Sequence, residues 1–218
     1  MTFLLLHGGG GAATMTKFAE LLAGRTGAEV LAPVHPGFGG TPKPASLTGV
    51  ASLARHYVDL LEERDLTGVT VLGNSFGGWL AAEIALLGSP RVTAAVIVNG
   101  VGVEVPGHPV TDVSGLSLAE IQALSWHDPS KAPAGPPPDV RALIGYTGPS
   151  MADPTLLDRL AGVRIPVHVL WGESDRIVDP EYGKAYAAAI PGSTFTLLPR
   201  TGHLPQLETP EELLDVLL

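Results

Sequence analysis

The 218-residue chain contains no cysteine, which excludes disulfides, thiolate chemistry and metal sites with cysteine ligands. It has no run of basic residues, and its formal net charge is −9, so nucleic acid and anionic membrane surfaces are not expected as partners. No stretch reaches the ~18 apolar residues of a membrane span. Residues 1–6 are apolar, but they lack a basic flank and end at His7, unlike a signal peptide. We therefore expect a cytoplasmic protein.

Motifs for cofactors are also missing. The seven histidines are scattered and no H-E-x-x-H occurs, so we expect no metal site. Neither a G-x-x-x-x-G-K-[ST] loop nor a dinucleotide fingerprint in its expected strand–helix unit is present. The sequence therefore predicts a protein without a cofactor.

What is present is an alternation of short apolar runs and helical patterns. The apolar runs fall at 2–6, 28–33, 69–73, 94–99, 166–171 and 194–199. Helical patterns fall at 14–24, 47–64, 76–88, 180–190 and 210–218. Strands that are apolar on both faces and alternate with helices predict an α/β fold with a mostly parallel, doubly wound sheet.

Region 101–164 interrupts this alternation. It contains no convincing strand, a helical pattern at 117–127, a proline-rich connector, and shorter helical patterns near 139–146 and 154–161. We predict a core formed by 1–100 and 165–218, with 101–164 as an inserted helical lid over the active site. The alternative is a peripheral loop that only packs on the sheet.

The stretch Gly73-Asn74-Ser75-Phe76-Gly77 lies where a predicted strand meets a predicted helix. It matches G-x-S-x-G, in which a serine occupies a strained turn and the flanking glycines avoid steric overlap. Such a turn exposes the hydroxyl at the carboxyl edge of the sheet and brings the next amide to a helix N-terminus. We predict that Ser75 is a nucleophile; the alternative is a glycine-rich turn without function.

A serine hydroxyl needs a base, and the base needs an acid that orients it. Asp175 and His203 each follow a predicted strand, so all three side chains are expected at the same edge of the sheet. Among the acidic rivals, Glu173 stays open, whereas Asp179 is better explained as a helix cap. Asn99 holds another possible position of the acid, but an amide carries no charge.

Residues 7–11 read HGGGG and follow the first predicted strand. Their backbone N–H groups could approach a developing oxyanion. A phosphate-binding loop is the rival interpretation, and the missing nucleotide motifs disfavour it.

Five motifs together resemble the α/β-hydrolase superfamily. They are HGGGG (7–11), HPGFGGTP (35–42), GNSFGG (73–78), GESDRIVDP (172–180) and GHLPQLETPEEL (202–213). The resemblance implies a sheet of about six strands without the first hairpin of the family. It also implies that Ser75 is the nucleophile, Asp175 the acid and His203 the base. By the same resemblance, the amides of Gly9 and Phe76 form the oxyanion hole, with Gly10 as neighbour or substitute.

From this we expect a serine hydrolase that acts on a small or medium carboxylic ester through an acyl-enzyme. Carbon–carbon, lactone and amide hydrolysis use the same triad and stay open, and a non-catalytic binding module is the alternative of another class. The GNSFGG motif is frequent among carbon–carbon bond hydrolases, whose oxyanion loop usually has a proline where Gly11 stands. Trp126 and Leu124 are the candidates for the substrate pocket. The expected partner is a small-molecule ester, and the expected assembly is a monomer or homodimer.

Overall fold

The computed structural model describes residues 1–135 and 137–218. Its sheet has the strand order β2-β1-β3-β4-β5-β6, and each neighbouring pair is parallel. The strands are β1 (Thr2–Leu6), β2 (Glu29–Leu31), β3 (Val69–Asn74), β4 (Val92–Val98), β5 (Val167–Gly172) and β6 (Thr194–Leu198). The prediction of a parallel α/β sheet of about six strands is confirmed.

Both faces of this sheet are buried, which explains why the strands are apolar throughout. Along β1, Leu4 and Leu6 face one hydrophobic cluster, whereas Phe3 and Leu5 face the other. The first cluster is covered by α2 (Val50–Glu63), α3 (Phe76–Leu87) and α7 (Pro180–Ala188), and the second by α1 (Ala13–Thr26) and α9 (Pro210–Leu217). The sheet is therefore doubly wound, as predicted.

The sequence predicts an N-cap residue for α7 and for α9, and only the first of these caps forms. Asp179 caps α7, because its carboxylate accepts a hydrogen bond from the Tyr182 N–H at 2.9 Å. The Thr209 hydroxyl bonds the hydroxyl of Thr201 at 2.9 Å and does not cap α9, although the sequence there resembles a capping box. The short helix α8 (Pro205–Glu208), directly after His203, was not predicted.

The segment between β4 and β5 contains α4 (Leu118–Ser125), α5 (Val140–Thr147) and α6 (Leu156–Arg159). Pro136, within the predicted lid, lies outside the described residues. The division into a core and a lid at 101–164 stays a prediction. Over residues 1–135 and 137–218, no helix combines the length and apolarity needed to cross a membrane.

Candidate active site

Ser75 forms the turn between β3 and α3. Its backbone has φ 58° and ψ −117°, a conformation that a residue with a side chain rarely adopts. A Cβ added to Gly73 would overlap the carbonyl of Gly77, and one added to Gly77 would overlap the carbonyl of Leu6. The two flanking glycines are therefore required because backbone segments pass where side chains would lie.

His203 and Asp175 form a buried pair at the same edge of the sheet. Nδ1 of His203 donates to Oδ2 of Asp175 at 2.7 Å, and the two residues are 6% and 2% exposed. The other carboxylate oxygen accepts the N–H groups of Ile177 at 2.8 Å and Val178 at 3.2 Å. Because a carboxylate only accepts, the proton of the neutral imidazole lies on Nδ1, and Nε2 is left as the basic nitrogen.

The side chain of Asn99 completes the shell around this acid. Its amide Nδ2 donates to Oδ2 of Asp175, and its Oδ1 accepts the N–H of Gly172 at 3.3 Å. Asn99 has φ 48°, which turns the chain sharply after β4. Asn99, which stands at the alternative position for the acid, thus donates a hydrogen bond to Asp175.

Ser75 and His203 line the same cavity. In the part of the chain that the structure describes, no hydrogen bond joins the Ser75 hydroxyl to the imidazole. Hydrogen bonds of this kind are often long in a site without substrate and tighten when the substrate binds. The structure therefore brings Ser75 and His203 to one cavity and places Asp175 in hydrogen-bond contact with His203.

The glycine-rich loop runs directly beside Ser75. A Cβ at Gly8 would lie 2.8 Å from Cβ of Ser75. The carbonyl of Gly8 accepts the N–H of Gly11 at 3.1 Å, and the carbonyl of Gly9 accepts the N–H of Asp139 at 2.9 Å. Among residues 1–135 and 137–218, no acceptor bonds the N–H of Gly9, Gly10 or Phe76. Gly9 and Gly10 line the cavity that contains Ser75, and Phe76 follows Ser75 directly in the chain.

Two stacked histidines, His7 and His35, pack at the start of the glycine-rich loop. The rings of His7 and His35 lie 3.7 Å apart, and the His35 ring contacts the carbonyl of His7 at 2.9 Å and the hydroxyl of Tyr57 at 2.6 Å. Burial lowers the pKa of His7 to about 4 and that of His35 well below its ordinary value. Both rings are therefore neutral at pH 7 and serve the structure of the loop.

The cavity has a volume of about 330 Å³ and is walled mainly by apolar side chains. Of the two residues expected in a substrate pocket, Trp126 lines this cavity, and Leu124 is not among the described residues of its wall. The reason is helical geometry, since Ile121 and Ser125, four residues apart, share the face of α4 that is turned to the cavity. The described wall contains no Asp, Glu, Lys or Arg side chain. Besides Ser75 and His203, the wall includes Val101, Val110, Val113, Leu118, Met151, Ile177, Leu204 and Leu207.

A further contact, which sequence reasoning missed, joins the nucleophile turn to the histidine loop. The amide of Asn74 donates to the carbonyl of His203 at 2.9 Å and to that of Val98 at 3.2 Å. Its oxygen accepts from Nε2 of Gln206 at 3.0 Å. In the sequence, only the position of the polar Asn74 at the end of an apolar strand pointed to such a contact.

Within the described residues, no group of three or more His, Asp or Glu side chains could hold a metal ion.

Comparisons with known proteins agree with this architecture. The chain is 26% identical to Lipase 1 of Psychrobacter immobilis over 97% of this chain and 74% of that protein. It is also 26% identical to a 2-hydroxy-6-oxononadienedioate/2-hydroxy-6-oxononatrienedioate hydrolase of Cupriavidus pinatubonensis, over 95% and 82% of the two chains. The solved structure of an esterase from Exiguobacterium antarcticum superposes with a TM-score of 0.82 at 18% identity, over 100% of this chain and 90% of that one, which shows the shared fold. The model of the alpha/beta hydrolase family matches residues 3–216, and the chain belongs to that family.

Proposed function

We propose that the protein is a serine hydrolase that cleaves a small or medium carboxylic ester through Ser75, His203 and Asp175. The observation that carries this proposal is the buried contact of 2.7 Å between His203 and Asp175, together with the strained Ser75, which lines the same cavity as His203. The free N–H groups of Gly9 and Phe76 beside that serine support it further. These elements match the requirements of acyl transfer: a nucleophile, an oriented base and donors for an oxyanion.

The reaction proceeds in two halves. Nε2 of His203 takes the hydroxyl proton while Oγ of Ser75 bonds the ester carbon, and the carbonyl electron pair moves onto oxygen, facing the N–H groups of Gly9 and Phe76. Collapse breaks the bond to the alcohol oxygen, which receives the proton from His203. Water then gives a proton to His203 and attacks the acyl carbon, and Ser75 leaves with that proton. Asp175 keeps Nδ1 protonated and stabilises the imidazolium throughout.

The cavity favours a neutral substrate of modest size. A volume of about 330 Å³ holds on the order of ten non-hydrogen atoms if each occupies the ~30 Å³ of a water molecule. The apolar, uncharged wall suits an ester with an alkyl or aryl acyl group. Carbon–carbon hydrolysis is the second candidate because two relatives are named for 2-hydroxy-6-oxo acids, but each of those substrates carries at least one carboxylate by its name. Burying such a charge against this wall would be unfavourable.

The test is turnover on chromogenic esters of increasing acyl length, with one vinylogous diketone included. We expect the highest kcat/KM for short to medium neutral esters and little turnover of the diketone. Ser75→Ala should lower kcat by about 10⁴- to 10⁶-fold without unfolding the protein. If purified Ser75→Ala kept the turnover of the wild type, the mechanism would be wrong.

Labelling with a fluorophosphonate probe separates the enzyme from a non-catalytic binding module. We expect one label on the wild type and none on Ser75→Ala. Ser174→Ala is the matched control, because the Ser174 hydroxyl bonds His127 at 2.7 Å and lies outside the described cavity wall. This variant should keep the label. A wild type that neither labels nor turns over any ester would favour the binding module.

A further inference from the structure

Most polar side chains of the cavity wall already have partners within the protein. The hydroxyl of Thr14 donates to the carbonyl of Gly11 at 2.7 Å, and that of Thr111 donates to the carbonyl of Arg176 at 2.8 Å. Both ends of the Asn74 amide are bonded as well. The hydrogens of these groups are therefore not available to a substrate.

Ser125 is different. It is the last residue of α4, is 5% exposed and lines the cavity. Its carbonyl accepts the N–H of His203 at 2.6 Å, which holds the residue beside the base. In the described part of the chain its hydroxyl has no hydrogen-bond partner, although a helical serine commonly bonds the carbonyl four residues earlier. With no partner among the described residues, the hydroxyl can donate to a molecule in the cavity that Ser125 lines.

Gln122 lies three residues before Ser125, and thus on the same side of α4. Its Nε2 donates to the carbonyl of Pro133 at 3.2 Å, which fixes the side chain. Over residues 1–135 and 137–218, its Oε1 has no donor. The two side chains form a polar spot, defined here as the Ser125 hydroxyl and the Gln122 Oε1, within a mainly apolar wall.

We propose that Ser125 determines substrate specificity by donating a hydrogen bond to an uncharged oxygen of the substrate, apart from the carbonyl that is attacked. This inference rests on the proposed ester hydrolysis and deepens it. The substrate class is an ester with an apolar body and one ether, keto or hydroxyl oxygen. Gln122 accepts from that oxygen where it is a hydroxyl. A purely hydrocarbon ester would leave the Ser125 hydroxyl unsatisfied in the complex, which makes it the poorer substrate.

The test compares matched esters that differ only by an ether oxygen in place of one methylene. One pair varies the acyl chain of p-nitrophenyl esters, and the other varies the alcohol of butanoate esters. The two pairs therefore show whether the oxygen that Ser125 binds lies in the acyl part or in the alcohol part of the substrate. We expect the wild type to prefer the oxygenated member of one pair by about tenfold in kcat/KM. In Ser125→Ala this preference should disappear.

Thr111→Val is the matched control. It removes a hydroxyl from the same cavity, but one whose hydrogen is bonded to the carbonyl of Arg176, so the preference should remain. Equal turnover of both members of each pair by the wild type would overturn the inference. So would an equal loss on both members in Ser125→Ala. If no ester were hydrolysed and the probe did not label Ser75, the proposed function itself would fail, and this inference with it.

Discussion

A double-mutant cycle between Asn74 and Gln206 tests whether the nucleophile turn and the histidine loop are held together by side chains. Both residues are 1% exposed, and Nε2 of Gln206 donates to Oδ1 of Asn74 at 3.0 Å. The Oε1 of Gln206 is buried without a partner in the described structure. The variants are Asn74→Leu, Gln206→Met and the combination of both, since each substitution keeps much of the side-chain volume.

The magnitudes follow from the groups left without partners. In Asn74→Leu, the carbonyl of Val98 keeps the N–H of Ser75, whereas the carbonyl of His203 and the whole Gln206 amide lose their bonds to Asn74. At ~1–3 kcal/mol for each of the two buried groups, we expect a loss of about 2–6 kcal/mol in unfolding free energy. Gln206→Met also removes an unpartnered oxygen and should cost only about 1 kcal/mol. The double variant contains no buried glutamine amide without a partner. Its loss of unfolding free energy should therefore be about 2 kcal/mol smaller than the sum of the two single losses.

Equilibrium unfolding in urea measures these free energies, and kcat on a chromogenic ester gives the functional effect. We expect Asn74→Leu to lower kcat, because the carbonyl of His203 is released, and Gln206→Met to stay near the wild type. Losses that add within ~0.5 kcal/mol would refute the coupling between the two side chains.

Three further predictions concern the supports of the site. Gly77→Ala should prevent folding, as judged by soluble yield, because its Cβ would overlap a carbonyl of β1, whereas Gly24→Ala, in α1 with open space around it, should raise stability by about 0.5–1 kcal/mol. Arg159→Met should lower the unfolding free energy by about 2–3 kcal/mol, because it removes two bonds of 2.9 and 2.7 Å from the buried carboxylate of Glu83; an unchanged urea midpoint would contradict this. The lowered pKa of His7, about 4 against 6.5, means that the unfolded chain binds more protons between these values. Protonation of His7 should therefore lower stability by about 3 kcal/mol as the pH falls through this window, in addition to the loss from the likewise buried His35, and a flat urea midpoint there would exclude neutral buried rings.

The fold was predictable because its determinants are local. Strands buried on both faces are apolar without alternation, and the helices between them carry their own start signals, as Pro180 and Asp179 show. The strained turn at Ser75 was predictable for the same reason, since the glycines that permit it are its sequence neighbours. The order of strands then brings Asp175 and His203 to the same edge of the sheet.

The contacts between distant loops were not predictable in this way. Asn74 and Gln206 are separated by 132 positions, and Asn99 and Asp175 by 76. An amide has both donors and acceptors, so its residue type alone does not indicate which partner it selects in the folded protein. The placement of Leu124 failed for a related reason. A helical pattern identifies an apolar face, but the packing of α4 against other elements decides which side meets the cavity.

The end of α4 cannot move independently of the predicted catalytic loops. The carbonyl of Ser125 accepts the N–H of His203 at 2.6 Å, and the carbonyl of Leu124 accepts the N–H of Arg176 at 3.1 Å. The carboxylate of Glu208 binds the N–H groups of His127 at 3.1 Å and of Gly202 at 2.7 Å. Displacing this end of the helix would break backbone bonds to the base and acid loops at once. Any opening of the predicted lid that keeps the base in place must therefore occur elsewhere between β4 and β5.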